Sequence, residues 1–385
     1  MDFITYAMMI STKVTKKNER DKRGIKMTRT PSILHDEIIV CDGHNHFMIG
    51  LDPIRTIGKK GVFSSEYAPK FKAGGVNVVT AIVGADTPSC CAFSDNLQWG
   101  TFRVLNSILH ESEESSDTMK VCTTYQEIME TVEAGKIACI LGIEGGRPLE
   151  GKSNYDSLDI LEIFYKLGLR QVQLCDFGRN RLGDGLSTAE THGGLTPFGK
   201  NIIRRMNELG MIVDTAHMND EGFWDTVKVC DEPVIDSHSG VRAVCDTYSQ
   251  NISDERLKAL AQTGGVLGIS VYDLAMISRE KIEAGIRPTA EDFVNHVEYV
   301  IDKVGIDHVS MGSDHFPDHG FYPLPGWCEG TVYIGERDSY YIEGIKEDDG
   351  FGLLTEALMK RGYKEEEIAK IMGGNLLRIY KEVLK

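Results

Sequence analysis

Six side chains able to bind a metal ion stand at the ends of short apolar runs, far apart along the chain. His44 and His46 follow the first such run in Cys-Asp-Gly-His-Asn-His. Positions i and i+2 of an extended segment point to one side, so both imidazoles can reach a single ion. Glu144 closes Gly-Ile-Glu, His217 closes Asp-Thr-Ala-His, His238 closes Ile-Asp-Ser-His, and Asp314 lies in Met-Gly-Ser-Asp-His. A single histidine in such a place is usually a hydrogen-bonded core or surface residue. His35, His110, His192, His296 and His308 read that way. Joint placement separates the six from the rest. Imidazole and carboxylate donors without thiolate suit zinc, with manganese, iron or cobalt as alternatives. One ion cannot take six protein ligands and keep a position open for water. Two divalent ions about 3.5–4 Å apart, bridged by Glu144, would use all of them. A hydroxide between two such cations is a strong nucleophile at neutral pH, so the pattern predicts hydrolysis.

For these residues to meet, the runs before them must be neighbouring strands whose C-terminal ends share one mouth. From about residue 37 the chain alternates short β-rich runs with amphipathic stretches, the rhythm of βα units and a parallel sheet. Strands are predicted at 38–41, 76–83, 137–143, 170–174, 211–214, 234–236, 266–271 and 309–312. Helices are predicted at 125–134 behind Thr123, 155–167 before Gly168, 198–209 between Pro197 and Gly210, 254–262 behind Ser253, and 290–303. Eight strands alternating with helices is the count of a closed (β/α)8 TIM-type barrel, in which strand ends ring the active mouth. A doubly wound open sheet is the alternative, but no glycine-rich GxGxxG turn follows the first strand. Residues 319–350 are aromatic, glycine-rich and acidic, an insertion after the eighth strand, and helices between about 353 and 384 close the chain. The expectation is an α/β protein with one domain over 35–385.

With 385 residues, 41% of them hydrophobic and 26% charged, the chain has the composition of an ordinary globular protein. A net charge of −16 disfavours nucleic acid and anionic membrane surfaces as partners, since their phosphates would be repelled. The nine cysteines are scattered, form no CxxC pair, and read as small buried hydrophobes in a reducing compartment. No run approaches the roughly 18 apolar residues of a membrane span. The N-terminal apolar run at 3–10 precedes its basic cluster at 13–26, the wrong order for a secretory signal. Residues 1–34 are therefore expected to be a disordered extension, and the location cytoplasmic.

Longer motifs carry a resemblance. DGHNH, GIEGG, GLTPFG, MNELGMIVDTAH, VIDSHSGVRAV, NISDE, GSD and IMGGNLLRIY occur in order over roughly 37–380. They resemble the membrane dipeptidase (renal dipeptidase) family of the amidohydrolase superfamily. The resemblance implies a binuclear zinc hydrolase of dipeptides, including some with a C-terminal D-residue, in a family that often dimerises. It implies that His44 and His46 hold one metal and His217 and His238 the other. Glu144 would bridge them, and Asp314 would carry the proton between water and leaving amine.

Three departures bear on substrate. The family's HxD after the first strand is HxH here, which makes the site more positive by about one charge. Its Leu-Thr-His, whose histidine polarises the scissile carbonyl, reads Leu174-Cys175-Asp176, and an acceptor-only carboxylate cannot donate to an oxyanion. Its arginine that clamps the substrate carboxylate is replaced by Gln250 before Asn251, removing a charge-assisted fork. The expectation is an active metal centre whose small-molecule substrate is not a standard dipeptide with a free carboxylate. Asp176, Asn180, Gln250 and His315 are the candidate substrate contacts. Asp176 either meets a hydrogen-bonding or ammonium group of the substrate or pairs with Arg179 or Arg181. His319 is separated from His315 by Pro317, which argues against a helical metal face. Tyr322 and Trp327 either cover the pocket or form the core of the insertion. Cys175 lacks any identifiable base and is not read as a nucleophile. Ester, lactone or phosphoester hydrolysis would suit the same metal set, and a non-catalytic binding protein on the same scaffold is the reading from another class.

Overall fold

The computed structural model describes residues 30–317, 340–345 and 348–385. Nine strands form one sheet: β1 (Val40–Asn45), β2 (Val76–Ala85), β3 (Met119–Val121), β4 (Ile137–Glu144), β5 (Leu169–Gln173), β6 (Ile212–Asp214), β7 (Ile235–Ser239), β8 (Val266–Ile269) and β9 (Val309–Met311). The order is β1-β2-β4-β5-β6-β7-β8-β9 and every pairing is parallel. Past the strand ends the ring is completed by two bonds: Asp314 N–H donates to His44 O (3.0 Å) and His46 N–H to His315 O (2.9 Å). This is the expected eight-stranded parallel barrel wrapped by helices. The short β3 was not expected. It lies beside the first residues of β4, below the point where β5 begins to pair.

Strands covered on both faces are buried throughout, as β4 is along its whole length. The first strand departs from its expected 38–41 span for a related reason. It continues through Asp42, Gly43 and His44, all buried, with Asp42 paired to Val79 and Asn45 to Ala81. Polarity in the sequence suggested an end that the backbone pairing does not have.

The helix Tyr125–Glu133 is capped by Thr124, whose hydroxyl accepts from Glu127 N–H (3.2 Å). Thr123, the expected cap, instead donates from N and Oγ1 to the Glu127 carboxylate (2.8 Å each). The helix Asn154–Lys166 starts with a reciprocal Ser153–Asp156 cap, and Pro197–Leu209 ends at Gly210 with φ of 71°. An 18-residue helix, Leu97–Glu114, was not foreseen, because its buried face is apolar only at Val104, Leu105 and Ile108 and is continued by Gly100, Thr101 and Glu111, which shorten the stripe seen in sequence.

Behind the site, the barrel floor is filled by Cys41, Val78, Ala138, Ile140, Ile212, Ile235 and Val266 packed on Leu376, Leu377, Ile379, Tyr380 and Val383 of the helix Asn375–Val383. Tyr380 and Thr80 share a hydroxyl hydrogen bond of 3.0 Å. At the other end of the chain, the helix Pro31–Glu37 overlaps the segment expected to be an extension and buries Leu34 and His35. Residues 1–29, with most of the expected insertion including His319, Tyr322 and Trp327, lie outside the described residues. No helix among the described residues is long and apolar enough to cross a membrane.

Candidate metal centre

Two acids first tie the strand ends together. Asp42 Oδ1 accepts from Ser313 N–H (2.7 Å) and His44 N–H (3.2 Å), and its Oδ2 accepts from Ser313 Oγ (2.6 Å) and Asn45 Nδ2 (2.9 Å). It thereby joins β1 to the segment after β9. Burial pushes its carboxyl up to about 6, against those hydrogen bonds. Asp214 plays the same part between β6 and β7. Its Oδ1 accepts from Ala216 N–H and Ser237 N–H (3.1 Å each), and its Oδ2 from Gln171 Nε2 (3.1 Å).

On this frame the six predicted residues converge. His44 Nε2 lies 3.0 Å from His46 Nε2, and His217 Nε2 lies 2.9 Å from His238 Nε2. The Glu144 carboxylate sits between the pairs. Its Oε2 is 3.4 Å from His46 Nε2, and its Oε1 is 3.1 Å from His217, 3.5 Å from His238 and 3.5 Å from His44. Asp314 Oδ1 stands 3.3 Å from His46 Nε2. All six are buried. Ligand nitrogens about 2.0–2.1 Å from a common ion lie about 3 Å from each other, the spacing each pair has. His217 (φ 60°) and Asp314 (φ 54°) hold left-handed backbone conformations, uncommon in non-glycine residues though more frequent for His and Asp than for most.

The electrostatics describe a negative hole. Burial alone would raise Glu144, yet His46 and His44 hold it well below the usual carboxylate range. Burial would lower His238, but Asp314 and Glu144 bring it up to about 9, and His46 is likewise raised by Cys90 and Glu144. Burial and the neighbouring His238 push His44 down to about 3. Buried carboxylates here draw positive charge, which protons or cations can supply.

The four expected substrate contacts fare differently. Asp176 is buried beside the centre, its Oδ1 accepting from Phe177 N–H (2.6 Å) and lying 4.0 Å from His217 Nδ1. Burial, with Glu144 near it, pushes it up to about 6. It does not pair with the loop arginines: Arg179 holds Asp184 (Nη2 to Oδ2, 2.8 Å) and Arg181 donates to Gly151 O. Asn180 has its amide taken up by the loop itself. Its Nδ2 donates to Asp86 Oδ2 (2.9 Å) and Leu174 O (2.8 Å), and its Oδ1 accepts from Leu182 N–H (2.7 Å). Gln250 donates to His238 O and accepts from Tyr248 Oη (3.0 Å). His315 Nδ1 lies 3.2 Å from Asp348 Oδ1.

Several residues at the site escaped the sequence reading. Ser237 Oγ touches both His238 Nδ1 (2.8 Å) and His44 Nδ1 (3.4 Å). Asp86, just past β2, accepts from Arg147 N–H (2.6 Å) and, mainly through burial, is pushed up to about 7. Its strand-end position is the same signal that marked Glu144. Cys90 Sγ lies 3.5 Å from His46 Nδ1 and Phe316 stacks on that ring at 4.1 Å. Nothing in their spacing pointed to either.

Comparison with known proteins agrees with this architecture. The sequence profile described as membrane dipeptidase (Peptidase family M19) matches residues 28–324 and 331–385. Dipeptidase tcpJ of Claviceps purpurea (strain 20.1) is 30% identical over 74% of this chain and 60% of its own length. Dipeptidase 3 of Mus musculus is 27% identical over 69% of this chain and 49% of its own. The chain thus spans about half to three fifths of the length of these curated relatives. A crystal structure described as an amidohydrolase from Pseudomonas aeruginosa superposes with a TM-score of 0.76 at 25% identity, covering 92% of this chain and 99% of that one.

Proposed function

Because the chain belongs to the membrane dipeptidase family, Peptidase family M19, we propose that it is a metal-dependent hydrolase cleaving an amide or peptide bond in a small, dipeptide-like molecule. The observation that carries this reading is the placement of Glu144 between two imidazole pairs whose Nε2 atoms are 3.0 and 2.9 Å apart. His44 and His46 would hold one divalent ion and His217 and His238 a second, with Glu144 shared. Nitrogen and oxygen donors favour zinc over softer alternatives, with manganese, iron and cobalt also compatible. When bound, such ions supply Lewis acidity toward the scissile carbonyl and acidify a water. Asp314, whose carboxylate reaches the same centre, takes the proton of the attacking water and returns it to the leaving amine. Burial of the six side chains lowers the local dielectric and so strengthens their charge interactions.

The substrate is proposed to lack the free carboxylate of an ordinary dipeptide. Gln250 is neutral and bonded to His238 O and Tyr248, and Asp176 places an acceptor-only carboxylate, rather than a donor, beside the centre. The test combines elemental analysis with a hydrolysis panel of N-blocked, D-amino-acid and carboxyl-blocked substrates. About two ions per chain, with carboxyl-blocked compounds cleaved faster than free dipeptides, is the expected result. Fast turnover of ordinary L,L-dipeptides would remove the substrate proposal. An inert, metal-loaded protein would remove the catalytic one, and activity confined to esters or lactones would redirect it.

A further inference from the structure

The ring of His46 is enclosed on every side that the described residues show, and its two nitrogens face different surroundings. The Nε2 edge faces Glu144 and Asp314, while Nδ1 faces Cys90 Sγ at 3.5 Å. Among the described residues that sulfur is the hydrogen-bond partner Nδ1 has. One face of the ring is stacked on Phe316, at 4.1 Å between centroids and 10° between planes. Cys90 and Phe316 belong to a small apolar cluster with Ile49, Ile82, Ala85 and Phe93, separate from the main core. Such a pocket accepts a neutral aromatic ring and disfavours a carboxylate.

The loop that delivers Cys90 is itself strained. After the turn Pro88–Cys90, Ala92 and Phe93 are consecutive non-glycine residues with φ of 52° and 53°. Such conformations cost on the order of 1–3 kcal/mol each and persist where surrounding contacts over-determine them. The contacts are present: Phe93 N–H and Cys91 N–H both donate to Pro88 O (2.8 and 2.9 Å), and Cys91 Sγ donates to Ala85 O (3.3 Å).

We propose that Cys90 is a positioning residue of the metal centre, accepting the Nδ1 proton of His46 and so holding the ring with its Nε2 lone pair toward the cation. Ligation through Nε2 requires the proton on Nδ1, and a buried N–H left without an acceptor costs about 1–3 kcal/mol. An outer partner also sets ring orientation and ligand basicity, and its loss lowers metal affinity by about 10–100-fold. Cys90 is what makes a histidine workable at position 46. This inference rests on the metal-centre reading given above.

The test is zinc affinity by competition with a chromophoric chelator, on the full-length protein, for wild type, Cys90→Ala, Cys90→Ser and the same changes made with His46→Ala. Cys90→Ala should weaken one ion by about 10–100-fold and leave any second ion unchanged. Cys90→Ser, which keeps an acceptor, should recover most of the loss. With His46→Ala present, Cys90→Ala should add nothing, whereas a merely structural role would add its full effect. Wild-type zinc affinity in Cys90→Ala would overturn the proposal. So would a thiolate-to-metal charge-transfer band in the cobalt(II)-loaded wild type, which would make Cys90 a ligand. That spectrum needs no variant, so it decides even if Cys90→Ala fails to fold. If the wild type binds a single ion, the two-ion reading falls, and the Cys90 comparison is still read on that ion.

Discussion

His44 and His46 each have a partner on the outer nitrogen, Ser237 and Cys90, and neither residue has a positive φ. The opposite pair is held otherwise. His238 shares the Ser237 hydroxyl at 2.8 Å, but His217 sits at φ 60° and its buried Nδ1 has no hydrogen-bond partner among the described residues. The nearest carboxylate oxygen to that nitrogen is Asp176 Oδ1, 4.0 Å away. The first pair thus has a side-chain neighbour on each outer nitrogen, while in the second pair the outer nitrogen of His217 lies 4.0 Å from Asp176, beyond hydrogen-bond reach. Ser237 thus links the two pairs, 3.4 Å from His44 and 2.8 Å from His238, and His217 differs from the other three imidazoles in resting on a left-handed backbone without such a side-chain bond among the described residues.

The largest break in this comparison comes from Glu144, which serves both halves. Glu144→Gln should drop metal content below one ion per chain and activity by about 10⁴-fold, the scale of losing a member of a catalytic unit, read by elemental analysis and turnover. Asp314→Asn should keep the metals and lose about 10²–10⁴-fold in turnover, with the alkaline and acidic limbs of the pH–rate profile changed. Loss of metal in that variant would instead make Asp314 chiefly a ligand.

A third effect separates the halves by pH. The segment after His238 is braced by His296, whose Nδ1 accepts from Val241 N–H (3.0 Å) and whose Nε2 lies 3.2 Å from Met276 O. Burial lowers its pKa to about 4. In the unfolded chain it would take up a proton near 6.5, so between about 6.5 and 4 the unfolded state binds more protons and stability falls as pH falls. The contribution is about 3 kcal/mol when complete. Acid-unfolding curves of wild type and His296→Gln should differ in that window, and parallel curves would dismiss the effect. The smallest change is expected from Asp176→Asn: about tenfold in kcat/KM, the size of one charge-assisted hydrogen bond, with zinc affinity unchanged. A shift in zinc affinity instead would assign Asp176 to the open nitrogen of His217.

The barrel and the meeting of the six residues were legible because each residue ends a run of β-branched or apolar residues, and a closed parallel sheet brings such ends together. What was not legible lacked that periodic cue. Cys90 arrives on a three-residue turn, Phe316 follows the last strand by five residues, and Asp348, near the far end of the expected insertion, accepts from Asn45 Nδ2 at 2.8 Å. The part Asn180 plays in its own loop was hidden for a different reason. A polar residue in a site loop looks free in sequence, yet here its amide replaces backbone partners that an irregular loop cannot provide for itself. The span of β1 was cut short because burial of Asp42 and His44 is set by the opposite strands rather than by their own polarity.

The left-handed backbone at His217 and Asp314 has a consequence for the handling of this protein. Glycine would relax both positions by roughly 1 kcal/mol while deleting the side chains the centre needs. Scoring backbone strain alone would therefore favour glycine at two places where it empties the centre of a donor.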